Sequence, residues 1–105
     1  VRLFVYGTLV DRSVQHRVTG RAFPARPARL TGWVRRTAVY PYVVPSPGDG
    51  VDGVLLDDVD DASLARLDAY EDAGRLYERR QVTVMVDGAP VGCDVYVGLA
   101  IAQPS

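Results

Sequence analysis

Apolar residues fall in short runs along this chain, and polar turn residues cut the runs apart. Residues 2–6, Arg-Leu-Phe-Val-Tyr, form an apolar and aromatic run stopped by Gly7, which predicts a buried strand. Residues 11–18 predict a short helix capped by Asp11 or Ser13 and closed by Gly20. Pro24 and Pro27 mark an irregular approach to a strand over 28–35. Residues 38–45, Ala-Val-Tyr-Pro-Tyr-Val-Val-Pro, predict another strand. Pro41 confines it to an edge or a bulge, because proline has no N–H to give to a ladder. Ser46 to Gly50 reads as a turn and Val51 to Asp57 as the next strand.

Asp60 and Asp61 open the one clear helix, over about 61–71. Aspartate caps free N–H groups, a second acid in the first turn suits the helix dipole, and the Ala and Leu that follow are strong helix formers. Gly74 ends this region. Residues 76–86 and 91–98 predict two strands joined by Asp87-Gly88, a hairpin signal. The tail, Ala102-Gln103-Pro104-Ser105, is predicted to be loose. The pattern therefore predicts an α+β chain of about five to six strands, one main helix and a short N-terminal helix. The sheet is mixed, mostly antiparallel, and curls over the helix or toward a β-barrel, with the helix between Asp57 and Leu76 as a crossover. With 105 residues and no repeat or linker, residues 1–105 read as a single domain.

Composition narrows the function classes. A hydrophobic share of 48% and a charged share of 24% are globular values and exclude disorder for most of the chain. Net charge is −1 and the basic residues are scattered, so no nucleic-acid surface is expected. No apolar run approaches the ~20 residues a membrane span needs, and no signal-peptide pattern opens the sequence, so a cytoplasmic protein with no membrane partner is expected. One cysteine, Cys93, excludes an internal disulfide and a Cys-based zinc site, and one histidine, His16, excludes a two-His metal site. All 12 basic residues are Arg, which reads as a coding bias before it reads as a function.

The acids carry more information, since only Glu71 and Glu78 are Glu. Glu71 lies seven residues after Leu64 and four after Leu67, which places it on the apolar face of the predicted helix. A carboxylate facing a core must be paired, hydrogen-bonded or protonated, and a raised pKa suits a general acid or base at neutral pH. The competing reading is that the helix frays by residue 71 and leaves Glu71 exposed or paired with an Arg. In Tyr6-Gly7-Thr8-Leu9 a strand ends in a glycine followed by backbone N–H groups with no strand partner. Such a turn either binds an anion or a carbonyl, or simply ends a strand. Glu78 sits beside Arg79 and Arg80 and reads as a charge-paired surface residue; Tyr77 faces the opposite side of the sheet, toward a pocket or the core. His16 is expected at the surface, and Cys93 as a small apolar residue. Asp49-Gly50-Val51-Asp52-Gly53 lacks the spacing and terminal Glu of a calcium loop, and no P-loop, Rossmann or Gly-x-Ser-x-Gly motif is present.

Tyr6-Gly7-Thr8-Leu9 after an N-terminal strand resembles the signature turn of the γ-glutamylcyclotransferase-like (AIG2-like) proteins. The likeness runs on through Gln15-His16-Arg17-Val18, Tyr40-Pro41-Tyr42-Val43-Val44-Pro45, Val51 to Leu56, Leu67-Asp68-Ala69-Tyr70-Glu71, Leu76-Tyr77-Glu78-Arg79 and Val95-Tyr96-Val97, covering nearly the whole chain. The spacing around the Glu is most similar to the γ-glutamylamine cyclotransferase branch. The resemblance implies a small mixed barrel with flanking helices. It makes Glu71 the catalytic glutamate and Tyr6, Gly7, Thr8 and Leu9 the substrate-binding turn, with Tyr77 beside the pocket. Asp72 departs from the family, where many members have Gly after the Glu, and this puts substrate identity in question.

The activity the resemblance implies is release of an amine from a γ-glutamyl amide with closure of 5-oxoproline. Attacking amine and target carbonyl belong to one molecule, so no metal, covalent nucleophile or cofactor is required. The partner is then a small γ-glutamyl substrate, met by a monomer or homodimer. The rival reading is a catalytically silent ligand-binding or structural module of the same fold.

Overall fold

The computed structural model describes residues 1–37, 41–74 and 76–98. Strand β1 (Leu3–Val5) leads through a 3-10 turn (Thr8–Val10) into helix α1 (Arg12–Thr19). Two long strands follow, β2 (Ala25–Thr37) and β3 (Pro41–Leu56), then helix α2 (Asp61–Tyr70), then β4 (Tyr77–Val86) and β5 (Ala89–Gly98). The strands close into a five-stranded barrel in the order β1-β3-β2-β4-β5. All pairings are antiparallel except β1 with β5, which run parallel. This is the expected mixed α+β barrel. Because β3 and β4 lie on either side of β2, α2 is the crossover between them.

The local signals act where they were expected. Asp11 caps α1 by accepting from the Ser13 N–H at 2.8 Å, and Gly20 closes it. Asp60 caps α2 by accepting from Ser63 N at 3.1 Å and Ser63 Oγ at 2.6 Å. Asp87 and Gly88 take φ of 51° and 77°, the conformation a two-residue hairpin turn requires.

Two expectations change. Residues 41–45 and 51–56 belong to one strand, β3, rather than two strands separated by a turn at Ser46–Gly50. The register shows the reason. Thr31 pairs with Gly50 and Trp33 with Pro45, so residues 46–49 form a bulge opposite Gly32. The chain does bend there, but long pairing with β2 on both sides keeps it one strand. Strand β2 likewise starts at Ala25, earlier than expected, with Pro27 opposite Val54. Residues 38–40 of the expected 38–45 strand, and the tail 102–105, lie outside the described residues.

The core has two layers set by strand alternation. Phe4, Leu30, Leu55, Val84, Val95 and Val97 fill the barrel, together with Cys93, whose thiol burial pushes up to about 11. Leu3, Val5, Leu56 and Tyr96 face outward onto Leu9, Leu64 and Leu67. Gly53 is fixed by the end of β1, which lies beside β3: a Cβ there would lie 2.3 Å from the Val5 carbonyl oxygen and 2.8 Å from the Phe4 ring. That close approach brings the end of β1 to the site.

Candidate active site

A cavity of about 580 Å³ opens where β1 ends, between the Tyr6–Leu9 turn and the C-terminal end of α2. Glu71, Tyr6, Gly7, Thr8, Leu9 and Tyr77, the six residues singled out from the sequence, all line it. Phe4, Val5 and Leu76 add apolar wall, and Tyr96, Tyr70 and Asp72 add polar groups.

Glu71 is the C-cap of α2, and its N–H still donates to the Leu67 carbonyl at 2.9 Å. The helix therefore does not fray before it, and its side chain stays on the face defined by Leu64 and Leu67. The carboxylate is half-buried. Among the described residues it has no ion pair or hydrogen bond. Burial alone pushes its pKa up to about 7. A carboxyl near half-ionisation at neutral pH can both take and give a proton.

The chain reverses directly after Glu71. Asp72 adopts φ +54°, a left-handed conformation that Gly takes freely and Asp tolerates. The departure noted in the sequence thus keeps the backbone and adds a carboxylate to the cavity wall.

The opposite wall is the Tyr6–Leu9 turn. Its own bonds run from Val10 N–H to the Gly7 carbonyl and from Asp11 N–H to the Thr8 carbonyl, so the N–H groups of Thr8 and Leu9 have no acceptor within the turn. Gln15, fully buried, holds the turn from behind: its Nε2 donates to the Leu9 carbonyl at 2.8 Å, and its Oε1 accepts from Phe23 N–H at 3.2 Å. Across the mouth, the Thr8 and Tyr70 hydroxyls are 2.9 Å apart and share a hydrogen bond.

Tyr6 Oη donates to the Tyr96 carbonyl at 2.9 Å, and Tyr96 Oη donates to Asp68 at 2.7 Å. Burial is the main reason both phenols titrate well above their usual range, and the Glu71 charge adds to the effect on both. Gln15, Tyr70 and Tyr96 were not singled out from the sequence. The Val95-Tyr96-Val97 alternation carried a signal for Tyr96, since it sets Tyr96 apart from two core valines. Nothing local distinguishes Gln15 from an exposed helical glutamine.

The remaining candidates lie elsewhere. His16 is exposed on α1, and Glu78 pairs with Arg80 at 2.5 Å at the start of β4. Among the described residues no three His, Cys, Asp or Glu side chains are grouped to hold a metal ion, and no helix is long and apolar enough to cross a membrane.

Residues 3–104 match the model of the family described as "Gamma-glutamyl cyclotransferase, AIG2-like". The chain belongs to this family. AIG2-like protein C of Arabidopsis thaliana is 34% identical over 87 residues, covering 80% of this chain and 49% of that protein. Protein AIG2 C of the same plant is 33% identical over 100 residues, covering 90% and 59%. The chain thus spans about half the length of the curated relatives it matches. Among solved structures, an Arabidopsis thaliana protein determined in solution superposes with a TM-score of 0.85 at 30% identity, over 98% of this chain and 71% of that one. A structure titled "Gamma-glutamyl cyclotransferase" shares the fold at 21% identity, with a TM-score of 0.71 over 93% of this chain and 66% of that one.

Proposed function

We propose that the chain acts as a cofactor-free γ-glutamyl cyclotransferase of the γ-glutamylamine type, in the cytoplasm. It releases an amine or amino acid from a γ-glutamyl amide and leaves 5-oxoproline, with Glu71 as general base and then general acid. One observation carries the reading: a half-buried carboxyl with a pKa near 7, with no partner among the described residues, faces a turn with open N–H groups across one cavity.

In this reading the Glu71 carboxylate takes a proton from the substrate α-ammonium. The freed amine attacks the γ-carbonyl carbon of the same molecule and closes a five-membered ring. The Thr8 and Leu9 N–H groups are aimed at the oxygen on which negative charge develops. The ring nitrogen still carries two protons after the attack: as the carbon–nitrogen bond to the leaving amine breaks, Glu71 returns its proton to that amine, then takes the second proton from the ring nitrogen and passes it on to the departing amine, which leaves as an ammonium ion. Both proton transfers are then relayed by one residue. Holding nucleophile and carbonyl in attack geometry is worth ~7–11 kcal/mol, which suits a site with little other chemistry. Tyr77 and the Tyr6 ring shape the wall around the glutamyl chain.

The test is 5-oxoproline release from a panel of γ-glutamyl amines and peptides, with Glu71→Gln beside wild type. Release that disappears in the variant supports the reading. Silence across the panel from folded wild-type protein favours a binding module of the same fold.

A further inference from the structure

Arginines on the barrel wall are mostly committed to acids: Arg26 to Asp57, Arg29 to Asp52, Arg79 to Asp68 and Asp94, and Arg80 to Glu78. Arg35 and Arg36, on the far half of β2, are exposed and have no such pair among the described residues. The register separates the two. Arg36 lies opposite Tyr42, which packs with Tyr77 and Tyr96 in the outer layer. Arg35 lies opposite Val43, which is buried in the barrel interior with Tyr6 and Val97. Directly opposed residues of a ladder share a face, so Arg35 stands on the interior face. Trp33, two residues earlier, packs onto the same interior cluster. Tyr42 fixes where this end of the ribbon lies, because it occupies the space that Gly98 leaves open: a Cβ at Gly98 would be 2.8 Å from the Tyr42 Cβ. The two strands thus carry Arg35 to the open end of the barrel, in a row that runs from Arg35 over Val43 to Tyr6.

The charges agree with this placement. Burial drives the Tyr6 phenol up, Tyr77 and Glu71 add to the push, and Arg35 alone opposes it. Arg35 does not act on Glu71, whose shift comes from burial. Its guanidinium is therefore beyond Tyr6 as seen from Glu71, and the cavity lining has no Arg of its own. We propose that Arg35 is a specificity-determining residue that receives a carboxylate carried by the leaving group, so that the amine released is an amino acid or a peptide rather than a simple amine. The inference rests on the γ-glutamyl reading and narrows its leaving group. The substrate's α-carboxylate sits on the carbon that bears the α-ammonium, so Glu71 keeps it at the near end of the site. The leaving nitrogen must also reach Glu71, but its substituent extends away and crosses Tyr6 toward Arg35. A guanidinium fork matches a carboxylate arriving there.

Equilibrium binding tests this without requiring turnover. The probes are γ-glutamylalanine and γ-glutamylethylamine, which differ only by the carboxylate on the leaving group. Both are titrated by calorimetry into Glu71→Gln, which does not turn them over in this reading. The same titrations are run with Arg35→Gln, Arg35→Lys or Arg36→Gln added. The Glu71→Gln parent should prefer γ-glutamylalanine by about fivefold, the scale of a solvent-exposed charge pair. That preference should shrink as salt is raised from about 0.05 M to about 0.5 M. Arg35→Gln should bring the two affinities to within about twofold of each other, while Arg35→Lys keeps part of the preference and Arg36→Gln keeps all of it. Equal affinity of the parent for the two probes, or binding of neither, overturns the proposal. So does an Arg35→Gln change that weakens both probes alike, since Arg35 would then hold the α-carboxylate common to them. An equal loss of preference in Arg36→Gln also overturns it, because a diffuse positive field would then be the cause. Arg35-dependent preference without 5-oxoproline release by wild type upholds the role of Arg35 and rejects the cyclotransferase reading.

Discussion

The hydroxyl groups of Thr8 and Tyr70, 2.9 Å apart, join two walls of the cavity that lie 62 residues apart in sequence. Thr8 belongs to the turn after β1 and Tyr70 to the last turn of α2, next to Glu71. The bond is exposed, so its worth to stability is small, below about 1 kcal/mol. Its place at the mouth gives it a kinetic meaning. Tyr70→Phe should leave the melting temperature nearly unchanged and raise KM several-fold at constant kcat. A fall in kcat alone would show that Tyr70 acts on the chemical step instead.

Glu71 gives the protein a distinctive pH dependence. Its folded-state pKa of about 7 lies above the ordinary glutamate value of 4.5, so between these values the folded state holds a proton that the unfolded state has released. Stability is therefore lost as pH rises from about 4.5 through about 7, by at most about 3 kcal/mol. Glu71→Gln removes this loss. Urea denaturation of the two proteins at pH 5 and pH 8 should show Glu71→Gln gaining on wild type at the higher pH. Parallel curves would mean that the carboxylate is solvated.

Catalysis should titrate on the same group in the opposite sense. Proton removal from the substrate needs ionised Glu71, so kcat/KM should rise with pH through about 7. The measurement is the pH–rate profile with one fixed γ-glutamyl substrate. A rising limb near 4.5 would separate the activity from the buried carboxyl.

Gln15 supports the binding turn through two buried bonds, to the Leu9 carbonyl and from the Phe23 N–H. Gln15→Leu leaves both backbone groups without a partner. The expected cost is about 2–4 kcal/mol in chemical denaturation, with a weakened affinity for ligand from a displaced turn. Stability within error of wild type would show that water replaces the amide.

Two glycines should respond in opposite ways. Gly53→Ala forces a Cβ to 2.3 Å from the Val5 carbonyl, whereas a Cβ at Gly92 meets nothing within 4 Å. The first should cost about 3 kcal/mol or more, and the second less than about 1. Denaturation midpoints for the pair would test whether the end of β1 lies as close to Gly53 as the structure has it.

The sequence by itself determined what short-range chemistry decides. Asp60 followed by Ser63 starts α2, Leu64 and Leu67 set its buried face, and the 100° helical step puts Glu71 on that face. Asp87-Gly88 makes the last hairpin, because only that turn geometry matches the twist of the strands it joins. The order of the short motifs from Tyr6 to Tyr96 carried the family. Tertiary structure decided what depends on distant partners. The turn-like Ser46–Gly50 segment became a bulge inside β3 because β2 pairs with the chain on both sides of it. Closure of the barrel rests on β1 lying parallel to β5, with Asp94 N–H donating to the Arg2 carbonyl across nearly the whole chain. That closure sets Tyr96 beside Tyr6 and Glu71, buries Gln15 behind the turn, and raises the Glu71 pKa by desolvation. A residue's periodicity shows which way its side chain leaves the backbone. How much water remains around it, and which groups meet it there, depends on segments that fold in from far along the sequence.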